Sequence, residues 1–229
     1  MQPVLVATAH GTGSAVGRGA VGALVAAVAR RRPDLVVRAA FVDVQPPSPA
    51  RVLEQVEQLD GRPSRLVPLL LSAGYHVFVD LTEAAATSAT ATLVGALGPD
   101  PRIAGLLHDR LVEAGLRDDD VVVMAAAGSS QASAVTDCEQ VAVELAVLLG
   151  RPVTAAYLSA AHPRLDVAVA AARAAGAARV VVATYLLAPG FFADLAARSG
   201  ADLVTAPLLP AHAAPPDVLV DIVLERYLS

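Results

Sequence analysis

Three polar residues that follow predicted strands are the candidates for chemistry in this sequence. Each comes after a run of apolar residues: His10 after the first run, Asp43 after the second and His76 after the third. Ligands of open parallel sheets bind beyond the carboxyl ends of the strands, and neighbouring strands lie about 4.8 Å apart. If the first strand lies between the other two, His10 is flanked by Asp43 and His76. Two imidazoles and one carboxylate are a suitable ligand set for Fe²⁺, Co²⁺ or Ni²⁺.

Each of these residues, taken alone, also has a structural interpretation. His10 could be a hydrogen-bonded turn residue, and Asp43 could form an Asx-type turn before the prolines that follow it. Tyr75-His76 could be a buried aromatic pair. Their joint occurrence at three successive strand ends favours a functional site over these alternatives.

The elements that must position these residues alternate between strand and helix. Apolar runs predict strands at about 4–9, 35–42, 66–71 and 92–97. Apolar residues at helical spacing predict a first helix through Val21, Leu24 and Val28, which Pro33 ends. Ser48-Pro49 begins a second helix, and a third is expected over about 101–114. This alternation predicts an α/β fold of parallel strands with helices on the faces.

From Val121 onward the chain repeats this unit. Val121 and Gly128 stand 117 residues after Val4 and Gly11. We predict two tandem doubly wound parallel-sheet domains related by internal duplication. Residues 1–117 would carry the metal and catalytic site, and residues 118–229 would be a degenerate repeat that forms the other wall of a cleft. The Arg117–Asp120 segment between them is expected to be a solvated linker.

The second copy lacks the polar residues of the first. Opposite His10, Asp43 and His76 it carries Ala127, Ser159 and Phe192, or Gly190 if the gap is placed differently. A histidine needed only for folding should leave some polar trace in the repeat. The function is therefore predicted to lie in the first half, facing the second.

Composition excludes several function classes. The chain has 229 residues, of which 55% are hydrophobic and 3% aromatic, and its net charge of −5 argues against a nucleic-acid binder. All 17 basic residues are arginine, which excludes a Schiff-base or P-loop lysine. No apolar stretch is long enough to predict a membrane span. The single cysteine, Cys138, and the absence of a basic secretory leader predict a cytoplasmic protein.

A nucleotide-binding module is a third hypothesis, which rests only on glycines. Gly11-Thr12-Gly13 resembles a fragment of a dinucleotide-binding loop, but the glycines that follow miss the required spacing. The remaining histidines, His108, His162 and His212, are expected at the surface, and Cys138 is expected to be a packed thiol.

At these positions the sequence resembles the class II tetrapyrrole chelatases, specifically the long, two-domain sirohydrochlorin cobalto- and ferrochelatases. The resemblance covers nearly the whole chain. Four segments carry it: Ala9-His10-Gly11-Thr12, Asp43 ahead of Pro47-Ser48, Pro68 to Leu81 with Gly74-Tyr75-His76, and Ala188-Pro189-Gly190-Phe191-Phe192. The chain departs from the family pattern after His10-Gly11, where Thr12-Gly13-Ser14 stands in place of the usual Arg or Asp.

The resemblance implies insertion of a divalent metal into sirohydrochlorin without ATP, in sirohaem or cobalamin biosynthesis. The metal, Fe²⁺, Co²⁺ or Ni²⁺, is a substrate, and no organic cofactor is expected. His10 and His76 carry over as metal ligands and proton acceptors, and Asp43 carries over as their acidic partner. Arginines are expected to bind the pigment carboxylates. A monomer with pseudo-dimeric halves is expected rather than an obligate oligomer. A non-catalytic metal or tetrapyrrole carrier on the same scaffold is the alternative.

Overall fold

The computed structural model describes residues 2–72 and 74–229, and for Asp60 and residues 75–78 it describes the backbone only. Two four-stranded parallel sheets are present, with strand orders β2-β1-β3-β4 and β6-β5-β7-β8. The strands are β1 Val4–Ala9, β2 Val37–Phe41, β3 Ser64–Pro68, β4 Ala91–Leu93, β5 Val121–Ala126, β6 Val153–Tyr157, β7 Val180–Tyr185 and β8 Leu203–Val204. The predicted α/β class and the duplicated halves are confirmed.

Eight α-helices connect or follow these strands in the described residues. They are α1 Ala15–Arg31, α2 Pro49–Gln55, α3 Tyr75–Ala86, α4 Pro101–Glu113, α5 Ala132–Leu149, α6 Leu165–Ala174, α7 Phe191–Ala197 and α8 Asp217–Leu228. A π-helical turn, Val56–Asp60, continues α2. The Ser48 hydroxyl caps α2 by accepting the N–H of Arg51, with Pro49 in the first turn.

In each sheet the first strand is central and buried on both faces. All six residues of β1 are buried, as expected for a parallel strand covered by helices. Its neighbours are those predicted: Ala9 pairs with Phe41 of β2, and Thr8 pairs with Pro68 of β3. The carboxyl end of β1 therefore lies between the ends of β2 and β3.

Packing divides the chain into two compact units, Met1–Leu97 with Ala211–Ser229 and Gly98–Pro210. These units do not follow the predicted boundary at residue 117, because α4 packs on α5 and β7 whereas α8 packs on α1 and β3. Polar contacts tie α8 to the first unit: the Tyr227 hydroxyl donates to the Pro3 carbonyl at 2.8 Å, and Arg226 Nε donates to that of Ala96 at 2.8 Å. Residue 117 remains the predicted boundary of the two sequence copies.

Asp120 corrects the expectation of a solvated linker. Its side chain is fully buried and accepts a hydrogen bond from Arg179 Nη1 at 2.8 Å. The same carboxylate oxygen accepts the N–H of Arg117 at 2.7 Å. Asp118, by contrast, is exposed. The last acidic residue of the segment therefore closes the turn that leads into β5, because it can pair with both a guanidinium and a backbone N–H.

The segment after β3 also differs from the prediction. The strand ends at Pro68, and α3 begins at Tyr75, in a stretch for which no helix is predicted. Leu81 and Ala84 are both buried and have helical spacing. The apolar residues at the start of this segment are consecutive, so the segment as a whole lacks the apolar periodicity from which a helix is predicted. His76 is therefore the second residue of a helix and does not directly follow a strand.

None of the helices in the described residues combines the length and apolar character needed to cross a bilayer. Cys138 is 3% exposed, which confirms the predicted packed thiol.

Candidate functional site

His10 and Asp43 lie side by side where β1 and β2 end. The strand pairing continues past both strands: the N–H of Val42 donates to the Ala9 carbonyl at 3.0 Å, and the N–H of Asp43 donates to the His10 carbonyl at 2.9 Å. Both residues are exposed. The structure thus brings the backbones of two predicted site residues together at the carboxyl edge of the first sheet.

Gly11 is the residue that permits this approach. Its φ is +100°, and a Cβ built on it would lie 2.0 Å from the Asp43 carbonyl oxygen. No other residue fits there, because a real Cβ atom does not come this close to a carbonyl oxygen and because this backbone conformation favours glycine. Gly11 therefore serves the packing of two strand ends, which accounts for this glycine without a bound dinucleotide.

Asp43 uses one of its carboxylate oxygens in a local turn. Oδ1 accepts the N–H of Val44 at 2.7 Å, and the Asp43 carbonyl accepts the N–H of Gln45 at 2.7 Å across a γ-turn. Val44 has a φ of 64°, a strained value for a β-branched residue. Within the described residues Oδ2 has no hydrogen-bond partner. The turn interpretation and the site interpretation of Asp43 are therefore compatible, because the second oxygen is available.

His76 can be placed by its backbone alone. The chain leaves β3 at the same edge as His10, since the N–H of Leu69 donates to the Thr8 carbonyl at 2.8 Å. The His76 side chain lies outside the described residues, so its meeting with His10 and Asp43 stays a prediction. Among the side chains that are described, no three of His, Cys, Asp or Glu are grouped so as to hold a metal ion.

The second unit repeats this backbone. Gly128 has a φ of +92°, and a Cβ on it would lie 1.9 Å from the Ser159 carbonyl oxygen. The N–H of Ser159 donates to the Ala127 carbonyl at 2.9 Å, and a γ-turn with Ala160 at φ 52° follows. The same loops therefore form with Ala127 and Ser159 in place of His10 and Asp43. The polar side chains of the first unit are not needed for this conformation.

The positions at which α3 and α7 begin identify the counterpart of His76 in the second unit. Helix α7 begins at Phe191, 116 residues after the start of α3 at Tyr75. The same offset relates Pro68 to Thr184, which occupy equivalent register positions beside the central strands. Phe192, rather than Gly190, is therefore the counterpart of His76.

Two residues that the sequence analysis did not single out hold the loop after β1. Gln45 Oε1 accepts the N–H of Thr12 at 2.9 Å, and Arg18 Nη1 donates to the Gly13 carbonyl at 2.9 Å. Their counterparts in the second unit, by the offsets above, are Ala161 and Val135. The comparison of copies that supported His10 and Asp43 also distinguishes Gln45 and Arg18 from their counterparts.

Comparison with known proteins gives a family and a fold. The model of the CbiX family matches residues 4–114 and 121–198. No curated protein matches the chain.

Two solved structures of SirB are similar over nearly their full length. SirB from Bacillus subtilis with Fe³⁺ has a TM-score of 0.80 at 17% identity, covering 99% of this chain and 94% of that one. The sirohydrochlorin chelatase SirB from Bacillus subtilis subspecies spizizenii, in complex with cobalt, has a TM-score of 0.76 at 15% identity, covering 100% and 94%.

A third structure, DR2241 from Deinococcus radiodurans, is described as a multi-domain protein with structural similarity to chelatases. Its TM-score is 0.67 at 18% identity, and the match covers 99% of this chain and 54% of that one. At these identities the structures share the fold.

Proposed function

The chain belongs to the CbiX family, and from this membership we propose that it inserts Fe²⁺ or Co²⁺ into sirohydrochlorin without ATP, in sirohaem or cobalamin biosynthesis. One observation carries the proposal. His10 and Asp43 are joined through their backbones at the edge of a sheet, whereas the repeat keeps the same backbone with alanine and serine. The second unit folds without the imidazole and the carboxylate, so folding does not explain why the first unit carries both. A chemical role explains it best.

The reaction defines what these groups must do. A free-base tetrapyrrole carries two protons on its inner nitrogens, and a hydrated metal ion must lose water as those protons leave. The balance is one divalent ion bound and two protons released. An imidazole can ligate a divalent metal when neutral and can accept a proton near neutral pH.

We assign these tasks to the first unit. His10, exposed at the end of β1, would ligate the entering ion and, once the ion has passed to the macrocycle, would accept a proton from it with the same nitrogen lone pair. His76 would supply the second imidazole. Asp43 has one oxygen bound to the Val44 N–H, so Oδ2 is the atom that would hold an imidazole N–H or receive a proton.

A metal-insertion assay tests the proposal. The protein is mixed with sirohydrochlorin and Co²⁺ or Fe²⁺, and the change in the pigment's visible spectrum is followed. We expect His10→Ala to lower the insertion rate about 10²-fold to 10⁴-fold, the usual contribution of a general base. The free energy of unfolding should stay unchanged, because the repeat folds with alanine at the equivalent position.

Two variants are matched controls. His108→Ala removes a partly exposed imidazole on α4, and Ser159→Ala removes the hydroxyl at the position that matches Asp43. Both should keep the rate of the unaltered protein. An unchanged rate in His10→Ala, or a protein that does not accelerate insertion at all, would contradict the proposed reaction.

A carrier that binds metal or tetrapyrrole without accelerating insertion is the second candidate. It is favoured by the uncharged loop Thr12-Gly13-Ser14, where the family pattern has a charged residue. Tight binding of Co²⁺ or pigment together with an uncatalysed insertion rate would identify this function.

A further inference from the structure

Arg18 is a cationic side chain held at the loop that carries His10. Its Nη1 donates to the Gly13 carbonyl at 2.9 Å, and the side chain as a whole is exposed. A guanidinium has five N–H donors. Within the described residues, Nε and Nη2 of Arg18 have no protein acceptor. These two atoms form the edge that Arg32 uses to bind Asp34, at 2.8 and 2.7 Å.

The charge of Arg18 is not neutralised by a neighbour in the part of the chain that is described. Other arginines are paired with carboxylates, such as Arg102 with Asp100 and Arg179 with Asp120, both at 2.8 Å. Arg18 lies in the first turn of α1, where the helix dipole disfavours a cation and favours an anion. The position therefore works against helix stability and provides a positive charge at the loop that follows His10.

The second unit shows that the loop does not need this cation. Helices α1 and α5 begin 117 residues apart, at Ala15 and Ala132, so Val135 takes the place of Arg18. The loop hydrogen bond is nevertheless the same: the N–H of Ser14 donates to Thr12 Oγ1 at 3.1 Å, and the N–H of Gln131 donates to Ser129 Oγ at 3.1 Å. Arg18 is thus a feature of the unit that carries the chemistry and not of the shared scaffold.

We propose that Arg18 binds a carboxylate of the tetrapyrrole next to His10. The identity of the ligand rests on the proposed function. The edge formed by Nε and Nη2 would receive the carboxylate in a two-point interaction, while Nη1 remains bound to the loop. The pigment would then be held by one of its acidic arms close to the group that receives its proton, in a protein whose overall charge is negative.

Pigment titrations test this assignment. Sirohydrochlorin is added to the unaltered protein, to Arg18→Gln and to Arg38→Gln, and the dissociation constant is measured from the absorbance change. Arg38 is the matched control, since it is exposed in the same unit, on β2, and its removal changes the net charge equally. We expect the constant to rise about threefold to tenfold in Arg18→Gln and to stay unchanged in Arg38→Gln.

A second titration separates binding from loop structure. With a pigment whose carboxylates are methyl-esterified, Arg18→Gln and the unaltered protein should bind equally, because the interaction has lost its anion. Equal weakening for both pigments, or no weakening for either, would overturn the role of Arg18. Metal insertion by the unaltered protein combined with normal binding by Arg18→Gln would contradict only this inference, whereas failure of the unaltered protein to bind or metallate the pigment would contradict the proposed function as well.

Discussion

At the carboxyl edge of the first sheet, Gly11 lies against the carbonyl of Asp43; at that of the second, Gly128 lies against the carbonyl of Ser159. Both edges continue the strand pairing for one more residue and then enter a γ-turn. At the two strand ends the first edge carries His10 and Asp43, where the second carries Ala127 and Ser159, and Arg18 of the first unit is matched by Val135. Duplication therefore preserved the glycine-dependent backbone in both units, while the reactive side chains stand in one. A loop conformation and the chemistry placed on it are separable properties.

The two glycines offer the strongest test of this separation. Gly11→Ala and Gly128→Ala each place a methyl group about 2 Å from a carbonyl oxygen at positive φ, so each should lower the free energy of unfolding by about 2–4 kcal/mol. Urea unfolding measures this loss. The rate of metal insertion per folded molecule should fall in Gly11→Ala and persist in Gly128→Ala.

Gly13→Ala is the control for this pair, because a Cβ on Gly13 meets nothing within 4 Å. It should change the free energy of unfolding by less than about 1 kcal/mol. If Gly11→Ala proved as stable as Gly13→Ala, the close approach of the two strand ends would not be the reason for glycine.

The units also differ in buried phenols. Tyr157 of the second unit stands where the first has Phe41, and burial, with smaller contributions from Cys138 and Glu139, raises the pKa of Tyr157 to about 12. An unfolded tyrosine ionises near 10. The folded state therefore holds the proton more tightly, and this contribution to stability, complete below pH 10, is lost as the pH rises from 10 towards 12.

Tyr157→Phe should make the stability less sensitive to alkali, by up to about 1 kcal/mol per pH unit in that window. Urea unfolding at pH 9, 10 and 11 measures the slope. At pH 7 the variant should be close to the unaltered protein, since the only hydrogen bond of its hydroxyl in the described residues is a long one to Val135, at 3.4 Å. Parallel curves for the two proteins would refute the assignment of the slope to Tyr157.

The smallest expected difference concerns strain in the γ-turns. Val44 has a φ of 64° and is 59% exposed, so a glycine there relieves backbone strain at little cost in packing. We expect Val44→Gly to raise the free energy of unfolding by about 0.5–1 kcal/mol, and Ala160→Gly to raise it by less, because alanine is not β-branched. A decrease in Val44→Gly would show that the valine side chain makes a contact that outweighs the strain.

The sequence was most informative where local rules decide the structure. Strand β1, helix α1 with its stop at Pro33 and the Ser48 cap of α2 follow from apolar spacing and capping chemistry, and all are confirmed. Helix α3 was not predicted, because four apolar or aromatic residues among its first five resemble a strand. The packing of α4 and α8 depends on contacts distant in sequence, which local patterns do not encode.

The candidate site shows the same division. Their positions after predicted strands identified His10 and Asp43, the comparison of the two copies supported them, and the structure joins their backbones. Arg18 and Gln45 were missed because the sequence does not show their contacts with the loop after β1: Arg18 reaches it from α1, and Gln45 reaches it from the turn after β2. The comparison of the two copies nevertheless distinguishes both from their counterparts. The burial of Asp120 could not be foreseen, since its partner Arg179 is 59 residues away.

Helix α4 belongs to the second compact unit and α8 to the first, which affects the order in which the two units can be completed during synthesis. The residues of the second unit, Gly98–Pro210, form one continuous stretch, whereas the first unit also requires Ala211–Ser229, which are translated after that stretch. In a nascent chain the second unit can therefore fold while the first unit still lacks α8. The unit that carries His10 is thus begun before the second unit and can be completed only after it, once Ala211–Ser229 have been made.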